Sequence, residues 1–248
     1  MKTIIYITNN DIDEKIGEMC RRNILWSIGD SRLISVSQKP LDFGENICVG
    51  ILPRSNLSIN LQMMEALKKV ETEHIAIAEH DCLYSPEHFK FVPKDDSFYY
   101  NCNIWRLQTY SVYKPEFKGM FSIFKQRKAN SQLICRTDMM IKSTQERIDL
   151  MSDPAWLAKY PTGRIGEAGV MDYDHTMKLA RGRSVAHLVE RLKDYCTKYK
   201  GVNFETVIPN VDIRHDKNLT KNRRGSKRTY KIAYWGTMED IFNKGGIL

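Results

Sequence analysis

Two signatures that would have narrowed the class at once are missing from this 248-residue chain. No apolar run approaches the roughly 20 residues that a bilayer-spanning helix requires, which sets aside a helical membrane protein. No two of the six cysteines form a CxxC pair, which sets aside a zinc ribbon or a thioredoxin-like redox motif. Cys20, Cys48, Cys82, Cys102, Cys135 and Cys196 are scattered, several inside apolar runs. They read as free thiols in a reducing compartment rather than as a disulfide frame. Internal repeats and low-complexity linkers are also lacking, so neither a solenoid nor a string of tethered modules is expected. The opening MKTIIYITNN turns polar too soon for a signal peptide and reads as a first strand. A cytoplasmic protein without a membrane association is the expectation.

What is present is an ordinary globular balance, 42% hydrophobic and 27% charged. The length suits one large domain or two small ones, and one domain with a small appended C-terminal segment is the economical reading. The net charge is +8, which favours polyanionic partners. That charge is unevenly spread. KNLTKNRRGSKRTYK, residues 217–231, carries Lys217, Lys221, Arg223, Arg224, Lys227, Arg228 and Lys231 without an acid, and FKQRK at 124–128 is a smaller cluster.

TIIYIT is a β-branched run stopped by Asn9, Asn10 and Asp11. DEKIGEMCRRNILWSIG places Ile16, Met19, Cys20, Ile24 and Trp26 at helical spacing and ends at Gly29. RLISVSQ and ICVGIL read as strands, and SINLQMMEALKKVETE as a helix capped by Ser58. HIAIAEHD is a continuous apolar strand of the kind buried on both faces. The alternation predicts an α/β fold with a mostly parallel central sheet flanked by helices. Further on, SFYYNCNIWRLQ and YSVYK read as strands that could pair as a hairpin. QLICRTDMMIKSTQERIDL reads as a strand running into a helix, RSVAHLVERLKDYCTKY as another helix, and VNFETVIPNVDIRH as a strand kept near an edge by its proline.

Ligands of open α/β sheets bind beyond the carboxyl ends of the strands, and Glu79-His80-Asp81 falls at such an end. A strand places alternate side chains on one face, so Glu79 and Asp81 are expected to point the same way, and two carboxylates there suit a hard divalent cation. A pair of solvated loop acids is the plain alternative. His80 and His88 read as structural or supporting residues, and Pro86-Glu87-His88-Phe89 as the start of a short helix.

The order of IIYIT, VSQKPLDFG, AEHDCLYSPEHF and DIRHDKNLT resembles glycosyltransferases of the GT-A fold, whose nucleotide-binding half is Rossmann-like, and among them small bacteriophage enzymes that glycosylate hydroxymethylated pyrimidines in DNA. The resemblance implies a UDP-sugar donor, with glucose the expected sugar, and Mn²⁺ or Mg²⁺ held by Asp81, with Glu79 and His215 as further ligands. Glu79 stands where Asp is usual, and the first acid of such a motif often contacts the donor's ribose or sugar instead. It divides the chain into a nucleotide-sugar and metal half (1–105), an acceptor half (106–215) and a basic C-terminal lid (216–248). Thr8, Asn9, Asn10 and Asp11 would read the nucleoside, although turn chemistry alone accounts for such a cluster. Gln38 and Lys39 are further donor-binding candidates, and Arg54 and Lys217 would face the diphosphate. Glu167, in YPTGRIGEAGVMDYD, would be the general base, with Asp172 and Asp174 as fallbacks. Inverting transfer is expected and retaining chemistry stays open. Lys221, Arg223, Arg224, Lys227 and Arg228 would either neutralise the leaving diphosphate or clamp duplex DNA. Trp235 would stack on a base or sugar, or sit in the core. Two rivals remain: the same chemistry on a glycan, protein or small molecule, and a nucleic-acid-binding protein or metal nuclease. No obligate protein partner is implied.

Overall fold

The computed structural model describes residues 1–110, 115–123, 128–159, 167–169, 198–218 and 227–248. Two strands form its axis, β1 (Lys2–Thr8) and β4 (His74–Glu79), which lie parallel in the register Ile5 to Ile77. Around them stand β2 (Arg32–Ser37), β3 (Glu45–Cys48), β6 (Phe98–Asn101), β9 (Leu133–Arg136) and β10 (Gly201–Phe204), in the order β10-β6-β9-β4-β1-β2-β3. Only β9 runs against its neighbours. The fold is thus the expected α/β one, with a mixed, mostly parallel sheet between helices.

The period of two along the strands decides which helix covers which face. Ile5, Ile7, Ile75 and Ile77 pack against Met63, Ala66 and Leu67 of α2 (Asn56–Leu67) and Met140, Leu150 and Met151 of α4 (Thr137–Met151). Ile4, Tyr6, Ala76 and Ala78 face Ile24 and Ile28 of α1 (Glu14–Ile28) and Phe89 of α3 (Pro86–Lys90). Burial on both faces is why these strands read as unbroken apolar runs.

A second sheet has the order β12-β8-β7-β11-β5. Its strands are β5 (Cys82–Leu83), β7 (Ile104–Gln108), β8 (Phe121–Ile123), β11 (Asn210–Arg214) and β12 (Lys227–Thr229). Its apolar side closes on the first half of α1, where Ile16, Met19 and Cys20 meet Leu107, Phe121, Val211, Ile213 and Trp235. One helix therefore seals both sheets. Among the described residues the remaining α-helices are α5 (Pro154–Lys159) and α6 (Met238–Asn243), the latter held by a Thr237–Asp240 capping box. Among the described residues no helix is long and apolar enough to cross a membrane. Five of the cysteines are described, all free, and only Cys48 is exposed.

Several local expectations are corrected. SFYYNCNIWRLQ is not one strand but two, β6 and β7, which belong to different sheets. Asn101 Oδ1 takes the Asn103 N–H at 3.0 Å, a side-chain turn that diverts the chain between them. VNFETVIPNVDIRH is two strands: β10 lies at an edge, while β11 is interior between β7 and β5. Pro209 precedes the ladder, which Asn210 begins by donating to the Asn103 carbonyl at 3.0 Å. The cap of α2 is Ser55, whose Oγ receives the Ser58 N–H at 3.1 Å, so Ser58 lies inside the first turn. Trp26 faces solvent, because two residues beyond Ile24 is about 200° around a helix. The third strand starts earlier than ICVGIL and stops before Gly50, whose φ of 75° breaks the extended chain. Residues 111–114 of the YSVYK segment, the cluster residues 124–127 and the expected helix across 183–197 lie outside the described residues.

Candidate functional site

β4 stops at Glu79, and the chain turns through His80 and Asp81 into β5. The expectation that alternation puts Glu79 and Asp81 on one face therefore does not hold, since extended geometry ends before Asp81. The turn is fastened by β11. Asp212 pairs with Cys82 and Val211 with Leu83, and the Ile213 N–H donates to the Asp81 carbonyl at 2.7 Å. That antiparallel register carries Arg214 and His215 alongside the turn. His215 Nε2 comes to stand 3.6 Å from Asp81 Oδ2. His80, Asp81 and His215 each offer a ligand atom within 4.8 Å of the others, the one such group among the described residues. Glu79 lines the same cavity but is not in that group; His80 is.

The donor set fits a cation. Asp81 and His215 are 6% and 8% exposed. Neither ring nitrogen of His215 has a hydrogen-bond partner among the described residues, a costly condition for buried polar atoms that a bound ion would relieve. Burial works against ionising Asp81, but the His215 ring, with His80 and Arg214, holds its carboxyl below the usual carboxylate range. Burial lowers the His80 pKa against the pull of Asp81, the direction that favours the neutral ring a ligand needs. Asn218 ties the group together: its Nδ2 donates to Asp81 Oδ2 at 2.7 Å, and its Oδ1 accepts the His215 N–H at 2.7 Å.

Through His80 and Asp81 the group opens onto a cavity of about 220 Å³ between the carboxyl ends of β1 and β4, the start of α2, and α4; His215 stands behind Asp81 and does not line it. Thr8, Asn9, Gln38, Arg54, Glu79, Asp81, Glu167 and Lys217 line it. Asn10, Asp11 and Lys39 stand behind that lining. Asn10, at a φ of 58° that asparagine tolerates, accepts the N–H groups of Gln38 and Lys39 at 2.8 and 2.9 Å and so joins the β1 and β2 loops. Asp11 pairs with Lys217 at 2.8 Å, and that hydrogen bond lowers the Asp11 pKa and raises the lysine's. The Arg54 guanidinium donates to the Lys217 carbonyl, linking the loop before α2 to the segment after β11.

Glu167 lies across the cavity, with its Oε2 3.8 Å from Arg147 Nη2 of α4. Its segment is held by the Tyr100 hydroxyl, which donates to the Ala168 carbonyl at 2.5 Å. Gly169 then passes so close to β10 that a Cβ would lie 2.6 Å from the Gly201 nitrogen. Asp172, Asp174, Lys221, Arg223 and Arg224 lie outside the described residues. Lys227 and Arg228 are exposed on β12, at the far edge of the second sheet. Two strands, β8 and β7, lie between β12 and β11, so three strand spacings, about 14 Å, separate them from β11. Trp235 is a core residue, 2% exposed, with its indole N–H on the Pro209 carbonyl at 2.7 Å, and is not available for stacking on a ligand.

Sequence reasoning placed His80 outside the ligand set and passed over Asn218, Arg147, Asp212 and Arg214, which also reach the cavity. His80 had a usable signal, since a histidine beside the acid in a two-residue turn must share that acid's surroundings. Arg147 had none; it is one arginine on a long helix.

No protein-family model matches the chain, and no curated protein matches it. Among solved structures it is similar to the bifunctional IspDF from Campylobacter jejuni, at 11% identity and a TM-score of 0.39 over 64% of this chain and 47% of that one. It is similar to a glycosyltransferase involved in glycosylating the major capsid of PBCV-1, at 10% identity and a TM-score of 0.42 over 85% and 91%. A third is the apo form of the glycosyltransferase GlyE of Streptococcus pneumoniae, at 7% identity and a TM-score of 0.36 over 81% and 44%. The chain thus spans less than half the length of the first and third. These TM-scores are too low to carry an argument, so the functional reading rests on the side chains.

Proposed function

We propose that the protein is a divalent-metal-dependent glycosyltransferase that moves a sugar from a UDP-sugar to an acceptor hydroxyl. The acceptor in this reading is the hydroxymethyl group of a modified pyrimidine in duplex DNA. The observation that supports it best is the meeting of three features in one cavity: a metal-ligand group at the end of β4, two cations beside it and a carboxylate across from it. Asp81 and His215 would hold the ion, which when bound neutralises the donor diphosphate. Arg54 and Lys217 face the leaving diphosphate, and Thr8, Asn9 and Gln38 contact the nucleoside. Glu167 accepts the proton of the acceptor hydroxyl as the new sugar–oxygen bond forms and the sugar–phosphate bond breaks. Attack from the Glu167 side, opposite the diphosphate, inverts the anomeric carbon. The DNA acceptor is supported by the net charge of +8 and by the exposed Lys227 and Arg228.

The test is UDP release from UDP-glucose with Mn²⁺ on DNA carrying plain or 5-hydroxymethylated pyrimidines, with Asp81→Ala as control. Turnover on the modified DNA alone, lost in the variant, is the expected result. Mn²⁺-dependent UDP-glucose hydrolysis without transfer to any DNA would overturn the acceptor and keep the chemistry. Absence of both turnover and a Mn²⁺-dependent thermal shift with UDP would overturn the whole reading.

A further inference from the structure

The ligand set bears on which ion it selects. It has one carboxylate and two imidazoles, where a magnesium site would be built from oxygens. Imidazole nitrogen favours first-row transition ions, while carboxylate and water suit magnesium. The second imidazole is the unusual member, and its surroundings are those of a ligand. His80 lies on the cavity wall. Its Nδ1 is 2.7 Å from the hydroxyl of Thr8, at the end of the adjacent strand β1. Thr8 is 3% exposed, and its Oγ1 also accepts the Asn10 N–H at 2.9 Å, so the hydroxyl is fixed from two sides. A metal-bound histidine almost always engages its other nitrogen in this manner, which sets the ring's tautomer and direction. Two tautomers satisfy the contact. With hydrogen on Nδ1, Thr8 is the acceptor and the Nε2 lone pair is left for an ion.

We infer that His80 is a third metal ligand, through Nε2, that Thr8 is the residue positioning it, and that the site takes Mn²⁺ or another nitrogen-accepting transition ion in preference to Mg²⁺. This rests on the proposed metal site and deepens it. It also gives Thr8 a second task besides contact with the nucleoside, since the same hydroxyl orients a ligand and secures the Asn10 loop. The site would then be ordered by β1 as much as by β4.

The experiment is calorimetric titration of the metal-free protein with Mn²⁺, Co²⁺ and Mg²⁺, together with pulsed electron paramagnetic resonance of the Mn²⁺ complex to count coupled nitrogens. The wild type is expected to bind Mn²⁺ and Co²⁺ at least about tenfold more tightly than Mg²⁺ and to show two imidazole nitrogens. His80→Ala should lose one nitrogen coupling and at least about tenfold in Mn²⁺ affinity, and Thr8→Val about tenfold, the low end for an outer-sphere partner. Thr8→Ser, which keeps the hydroxyl, should restore the affinity. A single nitrogen on Mn²⁺ in the wild type, or equal Mn²⁺ affinity in His80→Ala, would overturn the inference; the wild-type count decides even where a variant fails to fold. If Asp81→Ala still abolishes Mn²⁺ binding in that case, the proposed function stands without it. A wild type that binds none of the three ions overturns both.

Discussion

The two sheets bury different things. The first is filled with Ile, Ala, Leu and Cys from β1, β4 and β9, closed by helices on either side. The second takes charge into its interior. On the adjacent strands β7 and β11, Arg106, Asp212 and Arg214 are 7%, 5% and 6% exposed, with Asp212 3.4 Å from Arg106 Nε and 3.2 Å from Arg214 Nη1. Buried ion pairs are poor sources of net stability, because desolvation consumes most of the attraction. Net stability therefore comes from the first sheet and from the apolar face that the second sheet turns to α1. The charged one holds β11 in register beside β5, and so holds His215 at Asp81. A short strand with alternating apolar residues can slip; a strand whose aspartate sits between two arginines cannot slip without stranding a charge.

The largest effect that separates the two regions is catalytic. Glu167→Gln keeps shape and removes the proposed base, so kcat should fall about 10²–10⁴-fold while Mn²⁺ and UDP affinities stay put. Next is the charged sheet. Asp212→Ala leaves two buried guanidiniums without their shared anion and should cost about 3–5 kcal/mol, measured by urea unfolding, and should weaken Mn²⁺ binding as β11 loosens. In the apolar sheet, Ile77→Ala should cost about 2–5 kcal/mol through the cavity it leaves, with Mn²⁺ affinity unchanged in the folded fraction. If both variants lose metal affinity equally, the division of labour between the sheets is wrong.

Acid sharpens the contrast. His88, fully buried under the first sheet between Tyr84, Phe89 and Phe204, has its pKa pushed down by burial to about 3 from 6.5. The unfolded chain binds this proton more readily, so the stability it contributes is complete above pH 6.5 and lost as the pH falls towards 3. His88→Leu should lower the midpoint of acid unfolding, and an unmoved midpoint would place the acid-sensitive group elsewhere.

How much of this was legible depended on how local each cause was. HIAIAEHD declared a buried strand and its polar end, because burial on both faces is written into consecutive residues. His215 was found from its place after a strand, but what brings it to Asp81 is the pairing of β11 with the two-residue strand β5, and two residues carry no periodicity. For the same reason SFYYNCNIWRLQ read as one strand: its two apolar halves are near, and nothing local says that they serve different sheets. His80 was misjudged because β4 was extended one turn too far. Once the strand ends at Glu79, the histidine and the aspartate share a turn and face the same space. Arg147 and Asn218 join the cavity through tertiary packing alone.

The smallest expected effect tests the edge of the charged sheet. Lys227 and Arg228 are exposed on β12, the lysine ammonium 5.8 Å from the Trp105 ring and the guanidinium 5.8 Å from that of Phe117. The rings hold both cations at the surface without neutralising them, an arrangement that leaves them available to phosphates. Surface changes of this kind move stability by no more than about 0.5 kcal/mol, and at about 14 Å from β11 by strand spacing they should leave Mn²⁺ affinity alone. What should change is the salt dependence of DNA binding. Each cation that meets a phosphate contributes about 0.9 to the slope of log K against log salt. The double variant Lys227→Ala, Arg228→Ala should therefore flatten that slope by nearly 2, while release of UDP from UDP-glucose into water is unaltered. An unchanged slope would detach β12 from the nucleic acid and leave the second sheet with one task, the placing of His215.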